Sequence, residues 1–120
     1  MYTSDIKYLL EHFSRYFVFD SESGDTKFKV LSYAKNSEIA EVDRWDRYDK
    51  VKTEGIVLPY VIVDILKTRV NLHYVCKDGT KNKVSLPYDD NTDVDSYGLL
   101  LAKKIAEIFE NNSLMETTLD

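Results

Sequence analysis

Two segments of alternating apolar and polar residues meet in the stretch from Arg69 to Tyr88, which reads RVNLHYVCKDGTKNKVSLPY. Alternation with a period of two is typical of strands that bury one face and expose the other. The Asp78-Gly79 pair between the two segments indicates a tight turn. The stretch therefore predicts an antiparallel hairpin with one apolar face.

The register of this hairpin is restricted by parity, because directly opposed residues lie on the same face of a sheet. A two-residue loop would place apolar residues opposite polar ones, so the pattern predicts an odd number of loop residues. A loop over 77–79 pairs Leu72 with Val84, whereas a loop over 78–82 pairs Leu72 with Tyr88. Both registers satisfy the pattern, and both stay open at this stage.

A second hairpin is predicted upstream, from strands over residues 16–20 and 26–33 that are rich in aromatic and β-branched residues. Their apolar residues share a face when Phe17 lies opposite Val30. This pairing leaves an even-numbered loop in which Gly24 supplies the positive φ of the turn.

Both ends of the chain carry apolar residues at helical spacing, which predicts helices over 3–13 and 93–111. Each has a single apolar stripe, so both are expected to pack on one face of the sheet. Gly98 lies inside the second helix, where glycine costs about 1 kcal/mol relative to alanine. We therefore expect close packing against the sheet at this position.

The middle of the chain is less regular. Residues 36–48 can form a short helix. Residues 56–66 fit either a helix or a buried strand, and their β-branched composition favours the strand.

The predicted fold class is α+β, with an antiparallel sheet of four or five strands, built from two β-hairpins and flanked by N- and C-terminal helices. Residues 1–110 are expected to form a single domain. Residues 111–120 are predicted to form a flexible C-terminal tail, although Leu114, Met115 and Leu119 could dock on the fold.

Composition and charge narrow the classes of function. The chain has 120 residues and a formal charge of -5, an acidic balance that argues against direct nucleic-acid binding, which usually shows a basic face. No apolar run reaches the roughly 18–20 residues that span a bilayer, so we expect no membrane contact. One cysteine and no disulfide suit a cytoplasmic location.

Motifs for catalysis, cofactors or metals are not recognisable in the sequence. The acidic run over residues 89–95 opens like a calcium loop but lacks the required glycine and closing glutamate, so capping of the following helix is predicted instead. His73 and Cys76 point to opposite faces of their strand and cannot converge as a catalytic pair. We expect no catalytic residue, no metal site and no cofactor.

Two groups of residues are candidates for binding a protein partner. The segment 44–48 concentrates tryptophan, arginine and tyrosine, the residue types that most often dominate protein interfaces. An alternative is that its tryptophan anchors the segment on the sheet through its large apolar area. The second candidate is the polar face of the hairpin over residues 69–88. Its alternative is an ordinary solvated face of an antiparallel sheet. The candidate residues are Arg44, Trp45, Arg47 and Tyr48 in the segment, and Arg69, Asn71, His73 and Val75 on the hairpin.

These observations favour a small non-catalytic binding protein. Its most natural form is an inhibitor of a larger bacterial protein, such as a phage-encoded antagonist of a host defence nuclease, because an acidic inhibitor complements a basic cleft. An immunity protein that neutralises a toxin domain is one alternative. A small-ligand domain or an enzyme that uses a carboxylate site is another.

Overall fold

A computed structural model gives the fold over residues 3–13, 16–20 and 24–119. These residues form four α-helices, one short 3-10 helix (Arg44–Asp46) and six strands. The helices are α1 (Thr3–Phe13), α2 (Ser37–Ala40), α3 (Arg47–Thr53) and α4 (Val94–Asn111). The strands are β1 (Phe17–Phe19), β2 (Lys27–Ser32), β3 (Leu58–Ile65), β4 (Arg69–Val75), β5 (Lys81–Pro87) and β6 (Glu116–Thr117).

The strands build one antiparallel sheet in the order β1-β2-β3-β4-β5, and β6 pairs with the beginning of β3. Five main strands between terminal helices confirm the predicted α+β fold. The interpretation of residues 56–66 as a strand is also confirmed, because β3 occupies 58–65.

The two faces of the sheet carry separate hydrophobic clusters. One face is covered by α1 and α4 and is called the helix-covered face; its fully buried side chains include Phe28, Val63 and Leu72, packed against helix residues such as Leu10 and Ile105. The opposite face is covered only near the β1-β2-β3 end, where α2 and α3 contribute to a smaller cluster. Its remainder, across β2 to β5, is called the open face.

The β4–β5 hairpin has the first of the two predicted registers. Leu72 lies opposite Val84, and the loop consists of residues 77–79. Gly79 closes the turn with a φ of +90°, and its N–H donates to the carbonyl of Cys76. The prediction of an odd loop is therefore confirmed.

The predicted register of the β1–β2 hairpin is wrong by two residues. Phe17 lies opposite Ser32 rather than Val30, although the apolar residues keep the predicted face. The observed register places Val18 against Leu31 on the face covered by α2 and α3, where both are buried. Gly24 has the expected positive φ of 106°, while residues 21–23 of the predicted turn lie outside the described residues.

The C-terminal residues differ from the flexible tail that the sequence predicted. Leu114 is buried in the cluster on the helix-covered face, and Leu119 is buried in the cluster on the other face. The backbone N–H of Met115 donates to the carbonyl of Val75, and β6 pairs with β3. Two buried leucines and backbone pairing with β3 and with the end of β4 hold this segment, so the prediction of a free tail is corrected for residues up to 119.

Gly98 lies where the two terminal helices approach closely. A Cβ at this position would lie 2.8 Å from the Cβ of Leu9 and 3.5 Å from the ring of Phe13. The prediction of close packing is therefore right, but the neighbour is α1 and not the sheet.

Tyr97 links the stability of the fold to alkaline pH. Its ring is buried, its hydroxyl donates to the carbonyl of Leu86, and burial raises its pKa to about 12. Because the pKa is higher in the folded than in the unfolded chain, the contribution of Tyr97 is complete below about pH 10 and is lost towards pH 12. We expect the free energy of unfolding to fall across this range. In Tyr97→Phe the free energy of unfolding should fall less steeply with pH. Denaturant titrations at several pH values compare the variant with the wild type. Equal pH dependence in both would contradict the assignment of this effect to Tyr97.

Candidate functional site

The structure divides the four predicted partner-binding residues into two pairs with different roles. Trp45 is 84% exposed, and the exposed Arg44 stacks on it with 5.5 Å between the guanidinium carbon and the ring centroid. Arg47 and Tyr48 are half-buried and face the protein. The four residues therefore do not form one continuous binding patch.

Arg47 holds the middle segment together. Its Nε donates to the carbonyl of Val42 at 2.8 Å, and its Nη2 donates to the carbonyl of Ala40 at 2.9 Å. Its Nη1 donates to the hydroxyl of Tyr33 at 2.8 Å, and the guanidinium also lies over the Tyr33 ring. All three nitrogens of the guanidinium are thus used inside the fold, while the assignment of Arg47 to a partner interface stays a prediction.

Tyr48 also serves the fold. Its ring packs against the cluster beneath α2 and α3, and the ammonium of Lys52 lies 5.8 Å from the ring centroid. Tyr48 also borders a groove described below, and its assignment to a partner interface stays a prediction.

Trp45 is exposed because of a break in the predicted helix over residues 36–48. Asp43 adopts an extended backbone with φ of -54° and ψ of 140°, which separates α2 from the 3-10 helix. That 3-10 helix has no buried residue, so its tryptophan projects into solvent. The alternative interpretation, in which Trp45 anchors the segment on the sheet, does not describe the structure.

Two exposed carboxylates lie near the tryptophan in the chain. Asp43 and Asp46 flank the Arg44–Trp45 pair in the chain, and both are exposed. We call these four residues the Trp45 surface. It combines one exposed indole ring, one guanidinium stacked on it and two exposed carboxylates.

A groove of about 430 Å³ runs beside the Trp45 surface, between the end of α1 and the middle segment. β1 is the first strand of the sheet, so one of its backbone edges has no strand partner among the described residues, and all three of its residues line the groove. The other lining residues come from α1, the β1 and β2 ends and the middle segment: Glu11, His12, Tyr16, Tyr33, Arg44, Arg47 and Tyr48.

Tyr16 is a groove residue that sequence reasoning missed. It has a φ of +70°, which is uncommon for a bulky side chain, and its ring meets that of Tyr33 edge-on at 5.8 Å. The backbone N–H of Tyr33 donates to the Tyr16 carbonyl. These partners are 17 positions apart, so no local pattern could have indicated the conformation.

Displaced pKa values elsewhere have local structural causes. Hydrogen bonds from Thr80 lower the pKa of Asp78 in the β4–β5 turn. Hydrogen bonds from Ser96 lower the pKa of Asp93 at the beginning of α4, where the carboxylate caps the helix as the acidic run predicted.

Within the described parts of the chain, no group of three or more potential ligands could hold a metal ion, and no helix is long and apolar enough to cross a membrane.

The second candidate surface forms part of the open face. Asn71 is buried, and its side-chain oxygen accepts a hydrogen bond from Ser85 at 2.5 Å. Arg69 is exposed, and His73 and Val75 are half-buried. Asn71 therefore supports the sheet, while its neighbours in β4 remain accessible.

Comparison of the chain with protein-family models, with curated proteins and with solved structures finds no match.

Proposed function

We propose that the chain is a small non-catalytic binding protein that docks on a protein partner through the Trp45 surface. The observation that carries this proposal is the 84% exposure of the only tryptophan in the chain. Tryptophan is buried to a large extent in most proteins and is enriched among the residues that dominate interface energies. An exposed indole on a short 3-10 helix is available to be buried by a partner.

The charge around the tryptophan supports a basic partner. The Trp45 surface carries the carboxylates of Asp43 and Asp46 and the guanidinium of Arg44, a net formal charge of -1. Charge complementarity accelerates association and excludes partners of like charge. A nucleic-acid enzyme with a basic cleft fits this description, and we place the chain as an inhibitor of such an enzyme in the bacterial cytoplasm, in the manner of a phage antagonist of a host nuclease.

Capture from a lysate of the natural host tests the proposal. The wild-type chain is expected to retain one protein at near-equal amount, identified by mass spectrometry. Trp45→Ala should weaken retention by at least about 30-fold, as expected for an interface residue that contributes about 2 kcal/mol or more. The identity of the retained protein would also separate a nuclease inhibitor from an immunity protein that binds a toxin.

Tyr8 provides a matched control because it is an aromatic residue with 69% exposure on α1 and is not part of the Trp45 surface. Tyr8→Ala should bind the captured protein as the wild type does. Equal binding by Trp45→Ala and Tyr8→Ala would contradict the proposal.

A further inference from the structure

Five of the 16 lysine and arginine residues of this acidic chain lie on the open face. Strand pairing aligns Lys29, Ile62, His73 and Lys83 in one row across the sheet, and Lys27, Asp64, Asn71 and Ser85 in the next. Arg69 and Lys81 lie on the same face by the alternation of β4 and β5. The face therefore carries five basic side chains and one carboxylate, a net formal charge of +4 on a chain whose total is -5.

Most of this charge is accessible. Lys27, Arg69, Lys81 and Lys83 are exposed, and none of them forms an ion pair with another described residue. At physiological salt, charges are screened over about 8 Å, so a ligand on the open face responds to this local charge more than to the total. The total charge of the chain therefore does not predict what this face attracts.

The chemistry of the open face differs from that of the Trp45 surface. Its two central rows include no tryptophan, tyrosine, phenylalanine or methionine, and their only large apolar side chain is the half-buried Ile62. Tyr60, in the next row, is half-buried against the cluster beneath α2 and α3. Protein interfaces are enriched in aromatic residues and depleted of lysine, whereas interfaces with DNA are polar and strongly positive. The two central rows of the open face therefore have the polar, positively charged composition that is typical of interfaces with DNA.

The spacing of the basic residues suits the two strands of a duplex. Lys27 and Lys29 lie on β2 and Lys81 and Lys83 on β5, three strand spacings away. At about 4.8 Å per spacing, the two pairs are roughly 14 Å apart at the backbone. This distance is close to the roughly 12 Å width of the major groove, so flexible lysine side chains can reach the phosphates on either side.

We propose that the open face binds the phosphate backbone of duplex DNA without reading its sequence. The two central rows hold no tryptophan, tyrosine or phenylalanine, so they lack the stacking platforms that single strands require. The proposal departs from the expectation drawn from the total charge, because that expectation assumed no basic face. It concerns a surface and a ligand different from those of the Trp45 surface, so either proposal can fail alone.

Fluorescence anisotropy of the full chain with a labelled DNA duplex of arbitrary sequence, about 20 base pairs long, tests the proposal. With four or five phosphate contacts, the logarithm of the association constant should fall against the logarithm of salt concentration with a slope of about -3.5 to -4.5. The double variant Lys27→Gln with Lys83→Gln should make this slope shallower by about 1.8 and weaken binding at low salt more than tenfold. Both lysines are exposed, so the variant should remain folded, and its circular dichroism spectrum verifies this.

The double variant Lys35→Gln with Lys103→Gln changes the total charge equally at exposed positions outside the open face. It should bind DNA as the wild type does. Equal loss in both double variants, or no duplex binding at low salt, would overturn the proposal. Tighter binding of a single strand than of the duplex would overturn it too, as would self-association of the chain that the Lys27–Lys83 variant abolishes, which would assign the face to a second copy.

Discussion

Leu114→Ala and Leu119→Ala are each expected to lower the free energy of unfolding by about 2–4 kcal/mol. Each leucine is at most 5% exposed, and they enter the clusters on opposite faces of the sheet. Truncation removes buried methyl groups and leaves a cavity, because the surrounding strands cannot collapse fully around the smaller side chain. Effects of this size would be a large fraction of the 5–15 kcal/mol that stabilises a typical domain.

Met115 is the matched control for these two variants. It lies in the same segment, has a similar volume and is 42% exposed. Met115→Ala should change the free energy of unfolding by less than about 1 kcal/mol. Guanidinium titrations of the three variants measure the difference. Three small and equal effects would mean that the segment does not dock, as the sequence-based prediction of a flexible tail proposed.

Arg47→Ala is expected to lower the free energy of unfolding by about 2–3 kcal/mol. The sequence alone indicates a surface arginine at this position, whereas the structure shows a half-buried side chain. The substitution leaves the carbonyls of Ala40 and Val42 without their guanidinium donor and exposes the Tyr33 ring that the guanidinium covers. Hydrogen bonds to a charged group contribute more than neutral ones, and their loss is largest where water cannot replace the donor.

Arg44 supplies the comparison, because it is an arginine in the same segment but exposed. Arg44→Ala should change stability by less than about 0.5 kcal/mol. Arg47→Lys should recover little of the lost stability, because an ammonium cannot match the forked geometry of three separate donors. Denaturant titrations compare the variants. Equal free energies of unfolding for Arg47→Ala and Arg44→Ala would contradict the structural role of Arg47.

The sequence predicted which residues of the two hairpins share a face, but it did not determine the register of either hairpin. Parity restricted the β4–β5 hairpin to two registers, one of which the structure adopts. The β1–β2 register slipped by two residues, a change that parity does not detect. The observed register buries Val18 against Leu31 beneath α2 and α3. The alternation within the two strands gives no sign of this covering layer.

The division of the candidate segment followed from distant contacts as well. Arg44 and Arg47 are equivalent by composition, but only Arg47 reaches Tyr33, which is 14 positions earlier in the chain. The same limit applies to charge, because the total of -5 conceals the basic residues that strand alternation gathers on the open face.

The proposed function depends most directly on the position of Trp45 outside the core. It is the only tryptophan, so the intrinsic indole fluorescence of the chain reports on this residue alone. The most direct measurement is its emission maximum in the folded chain and in guanidinium. With 84% of the side chain exposed, the maximum should barely move on unfolding. A large shift to longer wavelength on unfolding would show a buried indole and would contradict the docking surface proposed here.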